Sequence, residues 1–190
     1  MNPDENPKAW TDIRYQLKSR SKAALLALVK DLYEVSPGNR DFLHARFQAG
    51  AAGGAALEQY RGKIIEQFFP QRGFGKLKLA EARKAIRNCR KATGNQEGTI
   101  DLLLTYVENG TQFTREFGDI NEPFYNSLDL ALEELVKLLL QAGAGLYSRL
   151  RDRVLRVEQM EDNIGWRYCD SVHDQVARLE EALAGESPPG

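Results

Sequence analysis

In SKAALLALVKDLYEV (21–35), the apolar residues Leu25, Leu28, Val29 and Leu32 recur at i, i+3, i+4 and i+7, the spacing of one helical face. Ser19 or Ser21 is placed to cap the start, and Ser36-Pro37-Gly38-Asn39 ends the run. Pro37 suits the first turn of a second helix carrying Phe42, Leu43 and Phe47, so the pair reads as a helical hairpin. Upstream, Trp10, Ile13 and Leu17 form a short apolar stripe that either docks on the body or supports self-association. A further helix is expected over 57–69, with Tyr60, Ile64, Ile65 and Phe68 inward and Pro70 as its stop.

Gly73 and Gly75 then make a turn before a helix that Gly94-Asn95 closes. The run 97–108 uses Ile100, Leu103, Leu104 and Val107, and Asn109-Gly110 is expected to break or kink it before Phe113 and Phe117. Pro123 marks the start of a long helix striped by Leu128, Leu132, Leu135 and Leu139, which Gly143 and Gly145 end. Two last helices fall near 146–160 and 165–182. No segment alternates with period two over five residues, so no strand is expected. The expected fold is all-α, with about eight helices in antiparallel hairpins forming a compact array or short superhelix. Leu28, Leu103 and Leu135 are expected in its core.

The domain plan follows from the same pass. Residues 1–18 read as a tail with a short helix, 19–182 as one helical domain, and 183–190 (LAGESPPG, which begins at Leu183) as a second tail. The stretch 48–56, QAGAAGGAA, reads as a flexible loop. No run of 18 apolar residues is present, so no membrane partner is expected, and the N-terminus lacks the apolar core of a secretory signal. Cys89 and Cys169 have no CxxC or CxxH neighbour, which suits two reduced thiols in a cytoplasmic protein.

By now three islands, LLALVKDLYEVSPGNRDFLHARF (25–47), FFPQRGFGKLKLAEARKAIRN (68–88) and YVENGTQFTREFGDINEPFYNSL (106–128), resemble an uncharacterised bacterial domain-of-unknown-function family of all-helical proteins. The resemblance follows the order of motifs across residues 20–180, with NIGW (163–166) matching its C-terminal part and the third island the most specific. The Gly/Ala stretch at 48–56 departs from the pattern and reads as an insertion. The resemblance implies a helical fold and brings no activity, substrate, cofactor or catalytic residue with it.

Charge changes the picture in one place. The whole chain holds 26 basic and 27 acidic residues, yet residues 71–95 take eight of the former and one of the latter, leaving 18 against 26 elsewhere. At 100° per residue, Leu79, Ala82, Ile86 and Cys89 share one arc of this helix, and Arg83, Lys84, Arg87, Arg90 and Lys91 the other. A solvated polar face explains such a pattern by itself. The functional reading is an anion site made by Arg72, Lys76, Lys78, Arg83, Arg87 and Arg90. In it Gly73 and Gly75 admit a phosphate to backbone N–H groups, and Phe74 stacks on a base. Neither GxxxxGK[ST] nor GxGxxG occurs, so a nucleotide loop has no support.

The second candidate is acidic: Glu116, Asp119, Glu122, Asp129, Glu133 and Glu134 fall in a stretch free of Lys and Arg. Carboxylates so grouped can hold a divalent metal or act as acid and base, but neither an EF-hand loop nor Glu-x-x-His is present. A helix cap by Asp119 or Asn121, with Glu122 favourable to the helix dipole, is the plainer reading. The acidic and basic strips are also able to pair with each other. His44 is expected half-buried, and the i, i+4 pair Cys169 and His173 lacks any oxyanion-hole signature. The aromatics Phe68, Phe69, Phe113, Phe117, Phe124 and Tyr125 default to core.

The function expected from sequence is a non-enzymatic interaction module with a protein partner, and no catalytic residue, metal site or cofactor is assigned. The alternative is nucleic-acid or polyphosphate binding through 72–91. A third reading is a metal-dependent enzyme using the 116–134 carboxylates.

Overall fold

A computed structural model describes residues 10–47, 53–160 and 167–184. The described residues form nine α-helices and no strand: α1 (Trp10–Lys18), α2 (Lys22–Val35), α3 (Pro37–Phe47), α4 (Gly53–Phe68), α5 (Leu79–Thr93), α6 (Gln96–Phe117), α7 (Glu122–Ala142), α8 (Ala144–Gln159) and α9 (Tyr168–Leu183). The chain divides into two compact units, with the boundary after His44, inside α3 and inside the segment expected to be one domain. Of the expected Gly/Ala loop, 48–52 lies outside the described residues, and Gly53 to Ala56 belong to α4. Trp166 and the NIGW motif also lie outside the described residues.

In the N-terminal unit Ser21 caps α2, its hydroxyl accepting from the Ala24 N–H at 3.2 Å. Asn39 donates from its side chain to the Leu32 carbonyl at 2.7 Å, which satisfies one of the orphan acceptors at the end of α2. Tyr33 Oη and His44 Nε2 lie 3.0 Å apart across the hairpin. The expected half-buried His44 is exposed. No described residue of this unit is buried: Leu28, expected in the core, is 40% exposed, and Leu25, Val29 and Leu32 on the same helical face are 36, 42 and 48% exposed. Their helical face is real, but the short helices of this unit bring no second apolar layer over it.

The core lies in the second unit and is built around α6. Six consecutive residues, Leu102 to Val107, are buried, so every side of this helix is covered. Its neighbours are α4, α5, α7 and α8, and α9 packs on α7 and α8. A helix buried all round must satisfy its polar side chains internally. The threonines do so by bonding back one turn: Thr99 to the Asn95 carbonyl at 2.8 Å, Thr105 to that of Asp101 at 2.9 Å, and Thr111 to that of Val107 at 2.8 Å. Thr111 also meets Tyr168 Oη of α9 at 2.7 Å. Tyr106 Oη meets Ser127 Oγ of α7 at 2.7 Å.

The expected break at Asn109-Gly110 does not occur, and α6 runs unbroken to Phe117. Gly110 has a different purpose. A Cβ there would sit 2.3 Å from Leu128 Cδ2, so the missing side chain is what lets α7 lie against α6. Asn109 stays helical with its amide donating to the Thr105 carbonyl at 2.7 Å. Gly110→Ala is therefore expected to destabilise by about 1–3 kcal/mol through overpacking. A Gly110→Ala/Leu128→Ala double variant should lose less than the sum of the two single variants in urea unfolding. Additive losses would count against the close approach.

Other boundaries follow the sequence closely. Asn121 caps α7, accepting from the Phe124 N–H at 3.0 Å, and Gly94 ends α5 in the left-handed region at φ 64°. Leu128, Leu132, Leu135 and Leu139 are all buried. Gly145 falls in the first turn of α8 rather than ending α7. Ile65 is only half-buried, while Tyr60, Ile64 and Phe68 are core.

Candidate functional site

The basic helix α5 packs Ala82, Ala85, Ile86, Cys89 and Ala92 inward, which turns its Lys and Arg residues outward. One acid crosses to it. Glu134 of α7 accepts from Arg83 Nη2 at 3.1 Å and from Arg90 Nη1 at 3.3 Å. Arg83 also lies over the Tyr106 ring, its guanidinium carbon 5.9 Å from the centroid. Lys84 reaches Glu81 one turn back at 3.8 Å. The other four candidates, Arg72, Lys76, Lys78 and Arg87, are exposed, and none makes an ion pair with a described residue. The possible pairing of acidic and basic strips thus reduces to Glu134 with two arginines.

The loop between α4 and α5 is held by its own backbone. The Leu77 N–H donates to the Gln67 carbonyl at 2.9 Å, folding the loop back onto the end of α4. A Cβ on Gly75 would fall 2.2 Å from the Phe68 carbonyl oxygen, so the loop's return onto α4 itself requires glycine here. Gly73 has φ 79° and permits the reversal that puts Phe74 outside.

Phe74 is 60% exposed and Phe117, expected in the core, is 50% exposed. Their rings meet edge-to-face with centroids 4.8 Å apart. Both rest on the buried Phe113, at 5.3 Å from Phe74 and 4.7 Å from Phe117. Arg72 and Lys76 flank Phe74 in the chain, and Arg115, exposed and without a described ion-pair partner, lies two residues before Phe117. The two rings on the buried Phe113 form one exposed aromatic edge of the second unit, with Arg72 and Lys76 in the same loop as Phe74. Arg115, two residues before Phe117, is about 200° from it round α6 and faces the other way. Sequence reasoning missed the exposure of Phe117. The signal was in FTREFG (113–118), where the second phenylalanine of an i, i+4 pair stands directly before a helix-ending glycine.

The acidic segment is divided among separate tasks. Glu116 accepts from Gln112 at 2.7 Å, Asp119 accepts from Tyr125 Oη at 2.7 Å, and Glu134 holds the two arginines. Glu122 and Asp129 line a groove of about 460 Å³ between α7 and α9, with Asp170, Ser171 and Gln175 opposite. Burial, above all, pushes the Asp129 carboxyl above its usual range; a Ser171 hydrogen bond opposes this and Glu133 adds to it. Among the described residues no group of three or more His, Cys, Asp or Glu is placed to hold a metal ion. His173 lies on the exposed side of α9, its Nδ1 3.0 Å from Glu158 Oε1.

A further polar network went unseen in the sequence. Asp101 of α6 takes Arg61 Nη2 of α4 on one oxygen at 2.5 Å and Arg153 Nη1 of α8 on the other at 2.5 Å. Arg153 is also bidentate to Glu108, at 2.9 Å from Nε and 2.6 Å from Nη2. Hydrogen bonding to Glu108 first, opposed by burial and aided by Asp101, raises the arginine's pKa further above its ordinary value. Every charge here has an opposite within hydrogen-bond reach, which marks a clasp joining three helices.

No protein-family model matches the chain, and neither a search of curated proteins nor one of solved structures finds a match.

Proposed function

We propose that this protein is a non-enzymatic interaction module that engages an anionic partner through the edge formed by the 69–78 loop, α5 and the end of α6. The observation that carries this reading is the exposed Phe74–Phe117 pair, with Arg72, Lys76 and Lys78 in the loop of Phe74 and Arg87 on α5, none of them neutralised by a described residue. Exposed apolar surface rimmed by charge is the usual mark of a docking surface. The sequence ranked a protein first as partner, and an acidic protein segment fits this edge. The unpaired cations also meet the requirement of the alternative, a nucleic acid or polyphosphate, since a basic face already neutralised would have no charge to offer it. The metal-dependent enzyme finds less support, because Glu116, Asp119 and Glu134, three of its six carboxylates, are turned to different partners. A free, buried thiol at Cys89 suits a reducing compartment such as the cytoplasm, and among the described residues no helix is long and apolar enough to cross a membrane.

Retention on a heparin column tests this reading. The wild-type chain should be held at low salt and released as salt rises, because exposed charges are screened within a Debye length of about 10 Å at 0.1 M. A variant with Arg72, Lys76, Lys78 and Arg87 changed to Glu should pass unretained with an unchanged melting temperature. Equal retention of the two proteins would place the binding surface elsewhere and defeat the proposal.

A further inference from the structure

The partner of this edge can be narrowed, on the strength of the reading just given. We infer that it takes single-stranded nucleic acid, with bases stacked on Phe74 and Phe117 and phosphates on the cations around them.

The argument starts from what the two rings are doing. Phe113 is fully buried and already completes the packing beneath them, with Phe69 at 5.8 Å and Phe124 at 6.4 Å. Phe74 and Phe117 lie outside that layer, half or more exposed, where an aromatic ring in water gains little for the fold. They are nonetheless held still. Phe74 is fixed by the loop's return onto α4 through Leu77 and Gly75. Phe117 is the last residue of α6, which Gly118 closes through its N–H to the Thr114 carbonyl at 2.8 Å. A ring fixed at the surface with a free face is a stacking platform, and every base offers a face to stack on.

The cations complete the chemistry. Arg72 and Lys76 lie two residues either side of Phe74, Lys78 follows in the same loop, and Arg87 is exposed on the next helix, α5. A loop that carries cations on both sides of an exposed ring offers phosphate contacts beside a stacked base. The acid beside Phe117, Glu116, is turned back along α6 to Gln112. A duplex hides its base faces, so it would use the cations and leave the rings idle. An acidic peptide would pair with the cations but has no regular series of flat groups for the rings.

The test uses the full chain and a labelled oligothymidylate of about 15 nucleotides, which has little structure of its own. Binding by fluorescence anisotropy should weaken with salt along a log–log slope of about −0.7 per phosphate contacted, so about −3 for the four cations Arg72, Lys76, Lys78 and Arg87. Phe74→Ala and Phe117→Ala should each weaken binding by about tenfold or more at fixed salt, the range of one lost stacking contact. That loss should leave the salt slope unchanged. Phe74→Trp should retain binding, which separates stacking from any disturbance of the loop. A duplex of the same sequence, or polyglutamate, should compete poorly. If duplex or polyglutamate competes as well as oligothymidylate, or if the Phe→Ala variants bind like wild type, the strand assignment fails while heparin retention still upholds the anionic edge. If heparin is not retained either, both readings fail together.

Discussion

Replacing Asp101 with alanine is expected to destabilise the second unit by about 3 kcal/mol, the lower end of the range for removing one partner of a buried pair. Asp101 is the hinge of the clasp: Arg61 and Arg153 approach it from two helices, on different oxygens. The three side chains are only 15–26% exposed, so water compensates them in part. Removing the carboxylate leaves two guanidinium groups facing each other across α6. Arg153 retains Glu108, whereas the only acid left to Arg61 among the described residues is the exposed Glu58 at 3.1 Å, beside the uncharged Thr105 hydroxyl at 3.3 Å. The double variant Arg61→Met/Asp101→Leu should therefore be more stable than Asp101→Ala alone, because it removes the stranded charge with its partner. Urea unfolding followed by circular dichroism measures both. A loss below about 0.5 kcal/mol in Asp101→Ala, the scale of an ordinary surface change, would show that the clasp does not hold the helices.

Leu103→Ala and Leu135→Ala should each lower stability by about 2–5 kcal/mol, the cost of lost burial plus the cavity left behind. Both side chains are buried, at 0 and 1% exposure, in helices packed on each other. Leu28→Ala, by contrast, should leave the main unfolding transition within about 0.5 kcal/mol of wild type, because Leu28 is 40% exposed in a unit where no described residue is buried. Identical losses for Leu28 and Leu103 would mean that the two units share one core.

The helices themselves were readable because their signals are local. Ser21 and Asn121 bond to N–H groups three residues on, and Gly94 adopts the left-handed φ that ends α5, so each leaves its mark within one turn of chain. The apolar stripe of α7 is likewise a property of spacing alone. The same reasoning failed at Gly110, where a residue that weakens an isolated helix is required by a neighbour 18 positions further along, Leu128. It failed for Leu28 as well. Amphipathic spacing says which residues share a face but not whether anything lies against that face.

The candidate site was legible only in outline. The concentration of charge in 71–95 is a fact of composition, and the sequence alone determined the all-helical class, most helix limits and the outward turn of the α5 cations. Which cations are neutralised depended on Glu134 arriving from 44 to 51 residues away. The tertiary structure alone decided that Phe117 joins Phe74 outside rather than entering the core, and that the loop's return onto α4 requires glycine at position 75. It also decided that Asp101 binds two arginines lying 40 and 52 residues from it. The physical reason is the same throughout. Helix formation is settled by bonds between residues three or four apart, while pairing, close approach and exposure are settled by which helices meet, and one chain's residue pattern does not record that meeting.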